Sequence, residues 1–193
     1  PWTYRRGTAD PSRDIARRYP CLQMPEIVGH VDRAWDIAAD DAYLVLWFAF
    51  PLLMEWTASS GAIRWKYITG GAWVKTGKPG MGYHWRGNAE GVLVYKKGRP
   101  RPCGNTLRSG HGTERGTLPG QLNMEHSEKP VAWLQHMVRE WCPPEGLVVE
   151  LYAGLGTMAR ACAAERRRYI GAEIDPDRHR RALGKLAGRI DIE

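Results

Sequence analysis

Val148-Val149-Glu150-Leu151-Tyr152-Ala153-Gly154-Leu155-Gly156-Thr157-Met158-Ala159 is the stretch on which the fold turns. An apolar, β-branched run ends in an acid; two spaced glycines follow, then a helix-like segment through Ala164. The order predicts strand, tight turn and helix, and the glycines let the turn bring its backbone close to a ligand. Arg168-Tyr169-Ile170-Gly171-Ala172-Glu173 predicts a second strand, also ending in an acid. Such a unit binds the adenosine half of a cofactor, with the second acid on the ribose hydroxyls. Two cofactors fit this pattern. Gly154-x-Gly156-x-x-Ala159 satisfies a relaxed dinucleotide fingerprint, with Glu173 at a suitable distance for NAD. Glu150, just before the glycines, is placed to meet the cationic amino acid part of S-adenosylmethionine. The unit also comes late in the chain, where a dinucleotide enzyme more often opens with it. Both points favour S-adenosylmethionine.

The 193 residues are 43% hydrophobic and 25% charged, enough for one globular domain with a sizeable core, expected over 1–193. The longest apolar run, Ala42 to Met54, is too short to span a membrane, and no signal-peptide pattern is visible. Cys21, Cys103, Cys142 and Cys162 form no CxxC pair, so reduced thiols of a cytoplasmic protein are expected, with neither a disulfide framework nor a metal site. The net charge of +7 suits a polyanionic partner. Basic residues gather at Arg5, Arg6, Arg13, Arg17 and Arg18, and again at Lys96, Lys97, Arg99, Arg101, Arg108 and Arg115. Two substrate-binding loops are expected there, at about 5–18 and 96–117, holding phosphates. A third group, Arg166 to Arg168 with Arg178, Arg180 and Arg181, reads as a solvated helix face.

Hydrophobic period places the other elements. Met24 to Ala38 predicts a helix carrying Ile27, Val31 and Trp35 on one face. Ala42 to Phe50 predicts a strand covered on both sides, and Pro51 opens a helix to about Ser60. Strands are expected at Trp65 to Val74 and Glu90 to Tyr95, with a glycine-rich loop between them and a structureless segment over 96–125. Val131, Leu134, Val138 and Trp141 give one apolar stripe to a helix from Pro130. Asp175-Pro176 opens the last helix, and 189–192 suggests a short edge strand. Strands alternating with helices predict an α/β domain with a mostly parallel sheet and helices on both faces.

In this order the motifs resemble the permuted, beta-class amino methyltransferases that use S-adenosylmethionine. Pro1-Trp2 looks like the tail of their Asp-Pro-Pro-Trp/Tyr catalytic motif, and His126-Ser127-Glu128-Lys129-Pro130 is similar to their cofactor-side motif. Glu150 to Thr157 resembles their glycine motif, and Ile170 to Glu173 their ribose-acid strand. Tyr43 to Trp47, Trp73-Val74-Lys75-Thr76 and Gly82-Tyr83-His84-Trp85 look like the adenosine methyltransferases of messenger RNA and their bacterial and phage relatives. The resemblance implies a Rossmann-like methyltransferase fold in circularly permuted motif order. It implies methyl transfer to the exocyclic amine of adenine in DNA, with RNA open, in a bacterial or phage-infected cell.

The same resemblance distributes the roles. Pro1, Trp2 and Tyr4 are implied at the catalytic centre, with Trp2 stacking on the flipped base. Lys75, His126, Ser127, Lys129, Glu150, Tyr152, Ala153, Gly154, Gly156, Thr157, Glu173 and Asp175 are implied around the cofactor. Arg5, Arg6, Arg99, Arg101, Arg108, His84 and Trp85 are implied on the nucleic acid. No counterpart of the motif's leading Asp and first Pro lies within the 193 residues. That leaves open a binding subunit without catalysis, paired with an active homologue; a homodimer is the other assembly. With no separate target-recognition domain, short or relaxed sequence specificity is expected.

Overall fold

The computed structural model describes residues 22–76, 88–104, 112–114 and 128–188. Two compact units divide the chain: Pro1–Ala72 with Ala89–Pro100, and Trp73–Asn88 with Arg101–Glu193.

The first unit is built on helix α1 (Met24–Ile37), strand β1 (Ala42–Phe48), helix α2 (Leu53–Ser59) and strand β3 (Ala89–Lys97). Strand β2 (Lys66–Thr76) begins in it. The Glu26 carboxylate accepts from the Gln23 amide at 2.7 Å, satisfying one of the free donors at the start of α1. Met24, Ile27 and Val31 recur at helical spacing and are buried with Trp56, Trp65 and Tyr95. Trp35, expected on the same stripe, is half-buried and meets Trp65 edge-on at 5.3 Å between ring centres. Two indole N–H groups find partners inside this core. Trp56 Nε1 donates to the Tyr95 hydroxyl at 2.8 Å, and Trp65 Nε1 to the Val31 carbonyl at 2.9 Å. The Lys97 ammonium donates to the carbonyls of Trp35 and Ala38 at 3.0 and 2.9 Å, a cation on the C-terminal end of α1. β1 and β3 run antiparallel, with Ala42 opposite Lys97 and Phe48 opposite Gly91. A Cβ on Gly91 would overlap the Phe48 ring, so the glycine makes room for a cross-strand aromatic.

The second unit holds strand β4 (Gly112–Glu114), helix α3 (Val131–Trp141), strand β5 (Leu147–Glu150), helix α4 (Thr157–Ala164), strand β6 (Arg168–Gly171) and helix α5 (Pro176–Leu186). β4 pairs parallel to β2 from Val74–Gly112 to Thr76–Glu114, and β5 pairs parallel to β6 from Leu147–Arg168 to Glu150–Gly171. The described strands form one sheet in the order β1-β3-β2-β4 and a second of β5-β6. Trp133, Leu134, Met137 and Val138 of α3 and Ala159, Ala161 and Cys162 of α4 are buried. Of the stripe expected for α3, Leu134 and Val138 are buried while Val131 and Trp141 are half-buried, and Trp133 and Met137 complete the buried face.

Local differences from the sequence reading have physical causes. β4 lies inside the segment expected to be structureless; His111-Gly112-Thr113-Glu114 has no apolar alternation, and its pairing comes from β2. β6 stops at Gly171, so Glu173 stands in the turn beyond the strand, which frees its carboxylate to point at the glycine turn. Pro51 sits in a 3-10 turn, Phe50–Leu52, ahead of α2, because proline cannot donate to a strand ladder. The expected edge strand at 189–192 lies outside the described residues. No described helix is long and apolar enough to cross a membrane.

Candidate functional site: the glycine turn and its acids

The site is built at the carboxyl ends of β5 and β6, where parallel strands leave a ligand crevice. The chain leaves β5 at Glu150 and is held to the β6 exit by Ala172 N donating to Glu150 O at 2.9 Å and Ala153 N to Ala172 O at 2.8 Å. Gly154 and Gly156 both take positive φ, 54° and 71°, a region costly for any residue with a side chain. They serve different purposes. Among the described residues nothing lies within 4 Å of where a Cβ on Gly154 would stand, so none of them crowds the backbone there. At Gly156, which caps α4, a Cβ would come 3.1 Å from Ala182 of α5. One glycine therefore leaves the turn uncrowded by described residues; the other lets α5 approach it.

Glu173 closes the glycine turn from the segment just beyond β6. One carboxylate oxygen accepts from Gly154 N at 2.8 Å, the other from Asp175 N at 2.9 Å. A carboxylate has about four acceptor positions, so roughly two remain beyond these backbone donors. Asp175 is the N-cap of α5, its side chain accepting from the amides of Asp177 and Arg178. The local sequence explains this: Asp175-Pro176 supplies a capping acid and then a residue with no N–H to satisfy.

Glu150 is held differently. Its carboxyl accepts from the Tyr169 hydroxyl at 2.6 Å, across neighbouring strands. Burial pushes Glu150 up to about 7; the Tyr169 hydrogen bond pulls it down, and the negative charge of Glu173 raises it further. Burial likewise pushes the Tyr169 hydroxyl and the Cys162 thiol up, Cys162 to about 12. Tyr152 is exposed at the turn, while Ala153 is half-buried.

Lys129 stands with its ammonium 5.8 Å from the centre of the buried Trp73 ring. Its neighbour Glu128 is the functional-looking residue that motif reading passed over. The carboxylate is buried and receives Arg160 Nη2 at 2.6 Å, Lys185 Nζ at 3.0 and 3.1 Å, and the Thr157 hydroxyl at 3.3 Å. Thr157, implied at the cofactor, thus turns its hydroxyl to an internal acid. The signal in sequence was slight: one acid inside a motif whose other members drew attention. Its partners lie 29, 32 and 57 residues away.

Lys75 is placed by its backbone alone, in β2 opposite Thr113. Arg99 and Arg101 are exposed, as a phosphate-gripping role requires. Pro1, Trp2, Tyr4, Arg5, Arg6, His84, Trp85, Arg108, His126 and Ser127 lie outside the described residues. The third arginine group departs from a simple solvated face. Arg167 spends its guanidinium on the carbonyls of Cys142 and Glu165, and Arg168 Nε donates to Glu145 O at 3.1 Å. Arg166 to Arg168 and Glu145 line a depression at the amino ends of β5 and β6, the end away from the glycine turn.

These features match known proteins. Residues 61–183 fit the family model of the N6/N4 DNA methylases. The chain is 36% identical over 77 residues to YubD of Escherichia coli (strain K12), a methylase by name; that stretch is 36% of this chain and 34% of YubD, so about a third of the curated relative is spanned. Among solved structures, the M1.HpyAVI–SAM complex is similar with a TM-score of 0.69 and 16% identity, covering 83% of this chain and 82% of that one. TTHA0409 of Thermus thermophilus, named a DNA modification methylase and solved with S-adenosyl-L-methionine, gives 0.64 at 16% identity over 86% and 78%. The cytosine-N4-specific PvuII DNA methyltransferase gives 0.66 at 14% identity over 86% and 72%. The chain belongs to the N6/N4 DNA methylase family, and its fold is the α/β fold of those methyltransferases.

Proposed function

We propose, with membership of the DNA methylase family as premise, that this protein binds S-adenosylmethionine at the glycine turn and methylates the exocyclic N6 amine of adenine in DNA. The observation that carries the cofactor assignment is the clasp of Glu173 onto the Gly154 amide, at a turn that no described side chain crowds at Gly154. Adenosine fits this donor set: a fixed carboxylate with acceptor positions to spare, next to that backbone. Glu150 supplies a second acid at the strand end for the cationic amino acid moiety. Glu173 would suit the ribose of either cofactor, whereas Glu150, at the end of β5 just before the glycine turn, favours a ligand with a cationic end over a doubly anionic one.

When bound, S-adenosylmethionine supplies a methyl group made electrophilic by its sulfonium. The chain's own residues position and polarise. Glu173 orients the adenosine through the ribose, and the turn at Gly154 lets the backbone lie against it. Adenine N6 is a poor nucleophile because its lone pair is delocalised into the ring. A carboxylate and a backbone carbonyl accepting its two hydrogens favour a localised lone pair, an interaction that strengthens toward the transition state. The resemblance of Pro1-Trp2 to the tail of the catalytic motif assigns the carbonyl to Pro1 and base stacking to Trp2, with Tyr4 lining the base pocket. Reaching the amine in a duplex requires base flipping, at a cost of a few kcal/mol. Arg99 and Arg101, with Arg5, Arg6 and Arg108, meet the phosphates, and His84 and Trp85 flank the substrate.

The experiment pairs calorimetry with methyl transfer. The parent binds S-adenosylmethionine; Glu173→Ala weakens it at least tenfold; labelled methyl appears on adenine in duplex DNA when the protein carries the full catalytic motif. Unchanged affinity in Glu173→Ala, or preference for NAD, removes the cofactor assignment. Label on cytosine N4, or on RNA in preference to DNA, reassigns the acceptor.

A further inference from the structure

Tyr169 has no part in the reading above, yet it makes the closest contact to the acid at the end of β5. Tyr169 and Glu150 stand on the same face of the two-stranded sheet, since β5 and β6 are parallel with Val148 opposite Tyr169 and Glu150 opposite Gly171. To reach Glu150 the Tyr169 ring must cross the next position but one on its own strand, which is Gly171. A Cβ there would overlap the Tyr169 hydroxyl and ring. Gly171 has an ordinary negative φ, so conformational freedom is not what this position uses. The absent side chain is the passage through which the hydroxyl reaches the carboxyl at 2.6 Å.

We propose that Tyr169 is a positioning residue for cofactor binding: through the gap left by Gly171, its hydroxyl holds the Glu150 carboxyl in one orientation at the strand end, as the acceptor for the cationic end of S-adenosylmethionine. The inference rests on the cofactor reading above and adds to it a residue, a space and a pH dependence. Among the described residues, the titratable groups that face Glu150 are Tyr169 from β6, Glu173 from the turn beyond it, and the Cys162 thiol from α4. Cys162 and Tyr169 stay protonated near neutrality because burial pushes both upward. Of Glu150, Tyr169 and Cys162, Glu150 is therefore the one that changes charge near pH 7. The Tyr169 hydrogen bond favours its ionised form, so removing the hydroxyl moves ionisation to higher pH.

The test is calorimetric titration of S-adenosylmethionine into the full chain between pH 6 and 9, for the parent and for Tyr169→Phe. The cofactor's own amino group titrates near pH 8 in both, so the difference between the curves isolates the protein. In the parent, affinity falls as the pH drops through about 7, where Glu150 takes up its proton. In Tyr169→Phe that fall begins about one pH unit higher, leaving binding about fivefold weaker at pH 7 and within about twofold at pH 9. A merely structural tyrosine lowers affinity equally at every pH, and that result overturns the proposal, as does a superimposable curve. If Tyr169→Phe does not fold, Gly171→Ala, which displaces the ring while keeping the hydroxyl, must give the same displacement. Glu150→Gln must abolish the protein's share of the pH dependence; retention of the parental curve there also overturns it. A parent that binds no S-adenosylmethionine at any pH removes the cofactor reading itself, which separates the two failures.

Discussion

Replacing Glu128 with glutamine removes one negative charge and almost no volume. The Glu128 side chain is 4% exposed, while its partners Arg160 and Lys185 are 28% and 18% exposed. Breaking a buried ion pair from one side costs about 3–5 kcal/mol, because the other charge is left uncompensated. Arg160 and Lys185 are partly in contact with water and relax toward it, so the lower end applies, about 3 kcal/mol. For a chain of this size that corresponds to a fall of roughly 6–12 °C in melting temperature. Arg180→Ala in α5 is the control: its pair with Asp177 is 77% exposed on both sides, and exposed pairs contribute about 0–1 kcal/mol. Thermal unfolding followed by circular dichroism separates the two variants. A second measurement tests the cause. In Glu128→Gln/Lys185→Met one stranded cation is gone, so the double variant recovers part of the loss. A Glu128→Gln protein that melts within about 2 °C of the parent, or a double variant no better than the single, shows that the cluster does not hold α4 and α5 together as described.

Tyr95→Phe takes the acceptor from Trp56 Nε1 inside a core where both residues are nearly inaccessible. Urea unfolding should show a loss of about 1–3 kcal/mol, the cost of an unsatisfied buried donor, and a midpoint equal to the parent's would contradict it. Glu150 makes stability depend on pH. Its folded value, about 7, lies above the ordinary 4.5, so the folded state holds the proton that the unfolded chain releases. Its contribution is full below about pH 4.5 and declines through about pH 7, by about 2–3 kcal/mol. Glu150→Gln should flatten that decline; a decline of the same size between pH 5 and 7 in parent and variant would refute the assignment.

The elements were legible because their signals are local. Ile27 and Val31 lie one turn apart, Asp175-Pro176 carries both a cap and a helix start, and Gly154-x-Gly156 between an apolar run and an alanine-rich segment admits few alternatives to a turn. The two acids proposed for the cofactor were legible for the same reason, since Glu150 and Glu173 each end a short apolar run. Charge was less informative. A net +7 suggested a polyanionic partner, yet Arg64 pairs with Asp32 and Asp36, Arg139 with Glu165, and Lys97 and Arg167 are spent on backbone carbonyls. Composition counts charges and is blind to the groups that neutralise them.

Residue order determined the α/β alternation, the glycine turn, the two strand-end acids and the family they belong to, because propensity, hydrophobic period and motif spacing act within one or two turns of chain. Folding in three dimensions decided what those residues touch. Glu128 gained Lys185 from 57 residues away, Tyr169 reached Glu150 across 19, and Thr157 turned inward to Glu128. Burial then set the chemistry. The same glutamate that titrates near 4.5 in water is pushed to about 7 at the end of β5, because desolvation penalises its charge more than one hydrogen bond restores.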